Sequence, residues 1–266
     1  MKHPPRRSFL QRRLVRFGLL AGMLVLVPGC GMKGCSNDTS SGLTYQSYTE
    51  LPAPTLGNAT VRGTVSFEGT VPAPKQIHKP TGACPHPVFD ERLIVGEGGG
   101  LRNAVVFLEG VPASSGADKP QVTLDQLNCQ FVPHVLAVQV GQPVEIKNSD
   151  PTTHNVHYLP KRNDDMNHDF SGSSMARSEI VRFEKAEPEP FETKCDVHAW
   201  MRSYVAVFDH PFFAVTDETG AFELANVPAG TYTLKTWHEL HHEQERQITV
   251  GDGEELVEDF TYRRDG

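Results

Sequence analysis

Residues 194–201 have the sequence KCDVHAWM, which places a thiol, an imidazole and a thioether within seven residues. The residues on either side are typical of extended chain, so this stretch is predicted to be a short loop between two strands. Taken singly, Cys195 is typical of a buried structural thiol and His198 of a surface imidazole. Their joint spacing with Met201, Cys-x-x-His-x-x-Met, indicates a metal site, because all three groups are ligands for transition metals.

A second stretch, residues 148–156 with the sequence NSDPTTHNV, supplies another imidazole. His154 begins a predicted strand after a turn, where it could reach the cysteine loop. One thiolate, two imidazoles and a weak thioether form the ligand set of a blue-copper electron-transfer site. His157 would point to the opposite face of the strand and is not expected to bind the same ion. Neither a Cys-x-x-Cys-His motif for covalent haem nor a second cysteine for a zinc knuckle occurs beside Cys195.

Residues 122–208 have the pattern of about seven short strands, the size of a small β-sandwich, with a polar loop predicted at 161–177. This block resembles the cupredoxins, the plastocyanin-like family of blue-copper β-sandwiches. The resemblance rests on FVP at 131–133, VGQPV at 140–144, NSD at 148–150 and HNV at 154–156, in the family's order. It implies a Greek-key β-sandwich.

The cupredoxin resemblance also implies the ligands of one type 1 mononuclear copper. The strong ligands would be His154, Cys195 and His198, the weak axial ligand Met201, and Asn155 would hydrogen-bond to the cysteine loop. The chain departs from the family in two places. Only two residues separate His198 from Met201, and Thr193 replaces the tyrosine often found two residues before the cysteine.

The flanks carry a second resemblance. Residues 215–222 (VTDETGAF) and 227–232 (VPAGTY) resemble a carboxypeptidase regulatory-like, transthyretin-type β-sandwich. Apolar strands at 63–67 and 104–108 match the opening strands of that family. We therefore predict that a cupredoxin domain at 121–210 is inserted between an N-terminal β segment at 59–120 and a regulatory-like β domain at 211–266. The alternative is that residues 59–120 elaborate the cupredoxin. No catalytic constellation is visible, so the protein is not expected to be an enzyme.

Three histidines near the C-terminus allow a further interpretation. His238, His241 and His242 lie beside Glu239 and Glu243 and could form a second metal site, since His238 and His242 would share one face of a helix. The alternative is a solvated, charged loop over residues 239–246.

The N-terminus is typical of an exported protein. Residues 1–29 combine six basic residues with an apolar run at 17–27, about half the length of a membrane-spanning helix, and are predicted to be a signal peptide. VPGC at 27–30 resembles a bacterial lipobox, which implies that Cys30 is lipidated; ordinary signal cleavage nearby is the alternative. PRRSFLQ at 5–11 resembles a twin-arginine motif. We expect a periplasmic or cell-surface protein, anchored to a membrane by lipid through a flexible tether at 30–58.

The remaining cysteines suit an oxidising compartment. Cys84 and Cys129 are the natural disulfide pair, although a second metal site with His86 and His134 is the alternative. Cys35 could be free or intermolecular.

The charge of the chain bears on its partners. Removing residues 1–29 changes the formal net charge from −8 to −14, which disfavours nucleic acid and is compatible with a basic protein partner. We expect an electron carrier that meets redox partner proteins, with a copper chaperone or sensor, or a structural or adhesive surface module with incidental metal, as alternatives. Trp200 could cover the copper or simply pack at the end of the sandwich.

Overall fold

The computed structural model describes residues 51–172 and 178–263, all within one unit of the chain, Tyr48–Gly266. These residues form nineteen β-strands, a 3-10 turn at Glu97–Gly99 and no α-helix, so the predicted all-β fold is confirmed. The predicted signal peptide at 1–29 and the lipidation site Cys30 lie outside the described residues. The described part contains no apolar helix of membrane-spanning length.

One β-sandwich is built from both ends of the described chain, and we call it the flanking sandwich. Its first sheet has the order β15-β1-β18, with β19 also paired to β1, and its second sheet has the order β14-β4-β16-β17. Strand β1 alternates buried and exposed residues, with Val61, Val65 and Phe67 facing the core. The strands are β1 (Ala59–Glu68), β4 (Val105–Glu109), β14 (Phe213–Val215), β15 (Ala221–Val227), β16 (Gly230–His238), β17 (His241–Val250), β18 (Glu255–Val257) and β19 (Phe260–Arg263).

The chain between β4 and β14 forms a second sandwich, which we call the inserted sandwich. Its sheets have the orders β10-β9-β12-β13-β7 and β11-β8-β5-β6, and its core lies between them. The strands are β5 (Val122–Leu127), β6 (Gln130–Val132), β7 (Val135–Gln139), β8 (Val144–Asn148), β9 (His154–Tyr158), β10 (Met166–Phe170), β11 (Glu179–Val181), β12 (Phe191–Lys194) and β13 (Arg202–Phe208). The connectivity is that of one sandwich placed within another.

The inserted sandwich has more strands than the sequence indicated. Strand β10 lies within residues 161–177, where a polar loop was predicted, and it pairs antiparallel with β9. Three of its five residues are exposed and only Phe170 is buried. Because β10 is an edge strand, it lacks the apolar alternation that identifies a strand from sequence.

Residues 59–120 do not all belong to one sandwich. Strands β2 (Gln76–His78) and β3 (Val88–Phe89) form a small hairpin, and Cys84 within it forms a disulfide with Cys129 of the inserted sandwich. The hairpin therefore bonds to the inserted sandwich, while β1 and β4 belong to the flanking one. An apolar cluster that includes Val105, Phe107 and Phe208 packs the two sandwiches together.

Residues 51–58, assigned above to the tether, contact the rest of the chain. The Ser115 amide donates to the carbonyl oxygen of Pro52, and the Gly57 amide donates to that of Asn226, each at 2.8 Å. Leu51 packs against the core of the inserted sandwich. These eight residues are therefore part of the folded body.

The predicted loop at 239–246 is wrong, because most of it belongs to strand β17. Strands β16 and β17 form a hairpin in which His238 lies opposite His241. His238 is buried, and burial together with the nearby charge of His241 lowers its pKa to about 3. His242 is exposed. Within the described residues, no group of metal-ligating side chains includes these histidines.

Glu187 holds the turn that follows β9. Its carboxylate accepts hydrogen bonds from the backbone N–H groups of Lys161, Arg162 and Asn163. Burial raises the pKa of Glu187, but these hydrogen bonds outweigh it, so the pKa lies below the ordinary value of 4.5. We expect Glu187→Gln to lower the free energy of unfolding by about 1–3 kcal/mol at pH 7, because charge-assisted hydrogen bonds are lost.

The decrease in the free energy of unfolding caused by Glu187→Gln should become smaller as the pH falls. A carboxylate whose pKa is depressed by folding stabilises the protein above its unfolded pKa, and that contribution is lost as the pH falls through the folded pKa. Denaturant unfolding between pH 7 and pH 3 measures this. Glu189→Gln is the control, since Glu189 is exposed and forms a surface ion pair with the Lys161 ammonium. A difference from wild type that grows in acid would contradict the assignment.

Candidate metal centre

The cysteine loop, residues 195–201, joins two neighbouring antiparallel strands. Strands β12 and β13 pair up to Lys194 and Arg202, so the two ends of the loop are held together. The Cys195 amide donates to the carbonyl oxygen of Met201 at 3.2 Å, and the Met201 amide donates to that of His198 at 2.8 Å. The strand pairing and these bonds fix the loop at one end of the inserted sandwich.

Strand β9 brings His154 to the same end. In β9, His157 pairs with Lys194 of β12, and continuing this antiparallel register sets Asn155 opposite Asp196. His154 therefore lies beside the cysteine loop although 40 residues separate it from Cys195 in the sequence. The loop supplies two donors and the neighbouring strand supplies the third.

The three predicted strong ligands converge. The donor atoms of His154, Cys195 and His198 all lie within 4.8 Å of one another. The Nδ1 atoms of the two histidines are 2.9 Å apart, and the Cys195 Sγ lies 3.8 Å from His198 Nδ1. His154, Cys195 and His198 are 0%, 1% and 9% exposed. Met201 is 1% exposed and belongs to the same core cluster as Cys195.

Asn155 holds the start of the cysteine loop, as the cupredoxin resemblance implied. Its Oδ1 accepts hydrogen bonds from the Asp196 amide at 2.7 Å, the Val197 amide at 3.4 Å and the Cys195 thiol at 3.2 Å. Asn155 is 3% exposed and Cys195 is 1% exposed, so the bond between these two side chains is shielded from water, whereas Asp196 and Val197 are exposed.

We expect Asn155→Ala to destabilise the metal-free protein by about 2–3 kcal/mol, because two backbone N–H groups and the buried Cys195 thiol lose their common acceptor. Denaturant unfolding measures this loss. The control is Asn167→Ala, which removes an exposed side chain that bonds to the side chains of Asn155 and Asp196 and should cost about 0.5 kcal/mol. Equal losses for the two variants would show that Asn155 does not hold the loop.

One buried contact of the site escaped the sequence analysis. His154 Nε2 lies 2.8 Å from Asp150 Oδ2, and Asp150 is 5% exposed. In the sequence Asp150 precedes His154 by four positions, but the contact depends on how the turn between them folds, and this could not be read from the sequence. Cys129 also lies near these two residues, but its sulfur is bonded to Cys84 and is not a free thiolate.

The surroundings favour a thiolate at Cys195 and a neutral imidazole at His198, and they shift the pKa of His154 the other way. Burial raises the pKa of the Cys195 thiol, but hydrogen bonds with His154 and with nearby backbone N–H groups lower it more, and the pKa lies below its ordinary value. Burial lowers the pKa of His154, yet the hydrogen bond to Asp150 raises it above the ordinary value. Burial and the charge of His154 lower the pKa of His198. A thiolate and imidazole nitrogens are the forms that bind a metal.

His157 and Trp200 are not part of the cluster formed by His154, Cys195 and His198. The His157 Nδ1 faces Asp196 Oδ2 at 2.9 Å, away from His154 as the strand geometry predicted. The Trp200 ring lies 5.1 Å from the His198 ring and stacks on His78 of the β2–β3 hairpin at 4.0 Å. Trp200 Nε1 donates to the carbonyl oxygen of Cys129 at 3.1 Å. Trp200 thus covers His198 and also packs at the end of the sandwich.

A cavity of about 470 Å³ borders the loop. Its lining includes Trp200 and Met201 of the loop, together with Ile77, Phe89 and Leu240. These last three side chains are exposed. The cavity is also lined by charged residues, including Glu91, Arg92 and Glu239, so the Met201 end of the loop faces a surface of mixed apolar and charged character.

The residues present fit a copper ion. One buried sulfur and two imidazole nitrogens converge, and this donor set suits both Cu(I) and Cu(II). All three donors lie on a rigid strand or on a loop closed by hydrogen bonds.

Comparisons with known proteins give similarity to cupredoxin structures over part of the chain. No family model matches the sequence, and no curated protein matches it. Among solved structures, a copper-containing nitrite reductase from Thermus scotoductus SA-01 matches with a TM-score of 0.30 and 19% identity, over 37% of this chain and 24% of that one. The oxidised P96G mutant of amicyanin matches with a TM-score of 0.29 and 20% identity, over 36% of this chain and 89% of that one. A purple cupredoxin from Nitrosopumilus maritimus matches with a TM-score of 0.27 and 19% identity, over 34% of this chain and 99% of that one.

Proposed function

We propose that this protein is an exported, copper-binding electron carrier with one type 1 mononuclear copper site. The observation that carries the proposal is the buried convergence of the donor atoms of His154, Cys195 and His198. Cys195 would supply the thiolate, the two histidines the nitrogens, and Met201 the weak axial sulfur. When bound there, copper would supply a one-electron redox couple.

The protein's part in this function is to hold the ligands still. Asn155 fixes the start of the cysteine loop, and the backbone bonds of Met201 fix its end. Burial excludes water from His154 and Cys195. Ligands that keep one geometry in both oxidation states favour fast electron transfer, whereas a protein that delivers copper must let its ligands open.

We place the redox partner at the surface beside the loop. Trp200 lies over His198, and the exposed side chains of Ile77, Phe89 and Leu240 border the adjoining cavity. A protein partner with an apolar patch and a basic rim would suit this surface and the acidic chain. A lipid on Cys30 would keep the carrier close to membrane-bound partners.

Voltammetry of the copper-loaded protein tests the carrier role. We expect a reversible one-electron wave, with the copper retained during repeated cycles, because the ligands do not have to move. Copper transfer to a chelating acceptor is measured on the same sample. Rapid transfer of the copper without a reversible wave would contradict an electron carrier and indicate a chaperone.

A further inference from the structure

A buried carboxylate lies between the candidate copper site and the turn that joins β5 and β6. Asp150 Oδ2 is 2.8 Å from His154 Nε2 and accepts a hydrogen bond from the Cys129 amide at 2.7 Å. Its Oδ1 accepts one from the Asn128 amide at 2.7 Å. Both oxygens are therefore engaged, and the only side chain among these partners is the His154 ring.

This contact decides which nitrogen of His154 is available to a metal. A carboxylate accepts but does not donate, so the Nε2 that faces it carries the ring proton. The other nitrogen, Nδ1, then presents its lone pair, and Nδ1 is the atom that lies 2.9 Å from His198 Nδ1. The carboxylate thus orients the ring and selects the tautomer that can bind on the Cys195 side.

Asp150 cannot easily turn away from this position. Its own amide donates to Asn148 Oδ1 at 3.0 Å. Asn128 and Cys129 adopt the left-handed conformation, with φ of 57° and 56°, which directs both of their N–H groups to the carboxylate. Cys129 is also bonded to Cys84. The negative charge is therefore held next to His154 in a site shielded from water, where it is weakly screened.

We infer that Asp150 is a positioning residue that orients His154 and stabilises Cu(II) over Cu(I) at the proposed site. The inference rests on the proposed function, since it needs copper at His154. A fixed negative charge stabilises the ion of higher positive charge more strongly. The hydrogen bond also raises the basicity of the ring, which acts in the same direction.

The test is the reduction potential of Asp150→Asn, measured by voltammetry beside wild type. We expect the ratio of Cu(II) affinity to Cu(I) affinity to fall about tenfold, which raises the potential by about 59 mV for one electron. The matched control is Asp125→Asn. Asp125 accepts two hydrogen bonds from Ser149, the residue before Asp150, and does not contact His154, so this variant should keep the wild-type potential.

Two outcomes would overturn the inference while leaving the proposed function intact. One is an unchanged potential in a folded, copper-loaded Asp150→Asn variant, and the other is an equal shift in Asp125→Asn. If wild type itself gives no copper-thiolate absorption, the proposed function fails instead.

A second measurement serves if Asp150→Asn does not fold. Nitrogen-15 NMR of the Cu(I)-loaded wild-type protein should show His154 protonated at Nε2 and unprotonated at Nδ1. A proton on Nδ1 would overturn the inference.

Discussion

Replacing Cys195 with serine should abolish the intense visible absorption of the copper-loaded protein and lower its affinity for copper more than about 100-fold. The absorption requires a thiolate-to-copper charge transfer, and a serine hydroxyl is neither soft nor ionised at neutral pH. The affinity should fall further than the 10–100-fold that follows from losing a partner outside the metal's ligands. Titration with Cu(II), followed by absorption and by competition with a chelator, measures both effects.

The control for Cys195→Ser is His157→Gln. His157 lies three residues from His154 and contacts Asp196 of the cysteine loop, but it faces the other side of the strand. This variant should keep the absorption and the affinity of wild type. If Cys195→Ser kept the visible band, Cys195 would not be a copper ligand.

Removing the disulfide should have the largest effect on stability. The double variant Cys84→Ser, Cys129→Ser opens a loop closed by cysteines 45 residues apart, and the chain-entropy relation gives a loss of about 4 kcal/mol for a loop of that length. The loss should also free the β2–β3 hairpin, whose His78 stacks on Trp200. Denaturant unfolding of the metal-free protein measures the loss of stability.

The control for the double variant is Cys35→Ser, which removes a cysteine outside the described residues and should leave the unfolding midpoint unchanged. Wild type treated with a reductant should lose as much stability as the double variant. Equal midpoints for wild type and the double variant would mean that the disulfide does not stabilise the fold.

The residues of the candidate site could be selected from the sequence because their signal is partly local. Cys195, His198 and Met201 lie on one short loop, and chemistry alone marks them as ligands. His154 was predicted from its position at the start of a strand after a turn, but its place beside the loop depends on the pairing of β9 with β12.

Contacts made across turns and between edge strands could not be predicted in the same way. Asp150 meets His154 only because the turn between them folds back, and nothing in the composition of that turn distinguishes a buried carboxylate from a solvated one. Strand β10 and the start of β17 carry mostly exposed polar residues, so they resemble loops until their partner strands are known. The contact of the β2–β3 hairpin with Trp200 joins residues more than 100 positions apart in the sequence, which local patterns do not encode.

We propose that Cys195, His154 and His198 bind one copper ion, with Cys195 as a thiolate. The most direct test of this proposal is a titration of the metal-free protein with Cu(II), followed by visible absorption. We predict a strong thiolate-to-copper band that grows linearly and saturates at one copper per chain. A protein that binds Cu(II) without that band, or whose band does not saturate at one equivalent, would contradict the account.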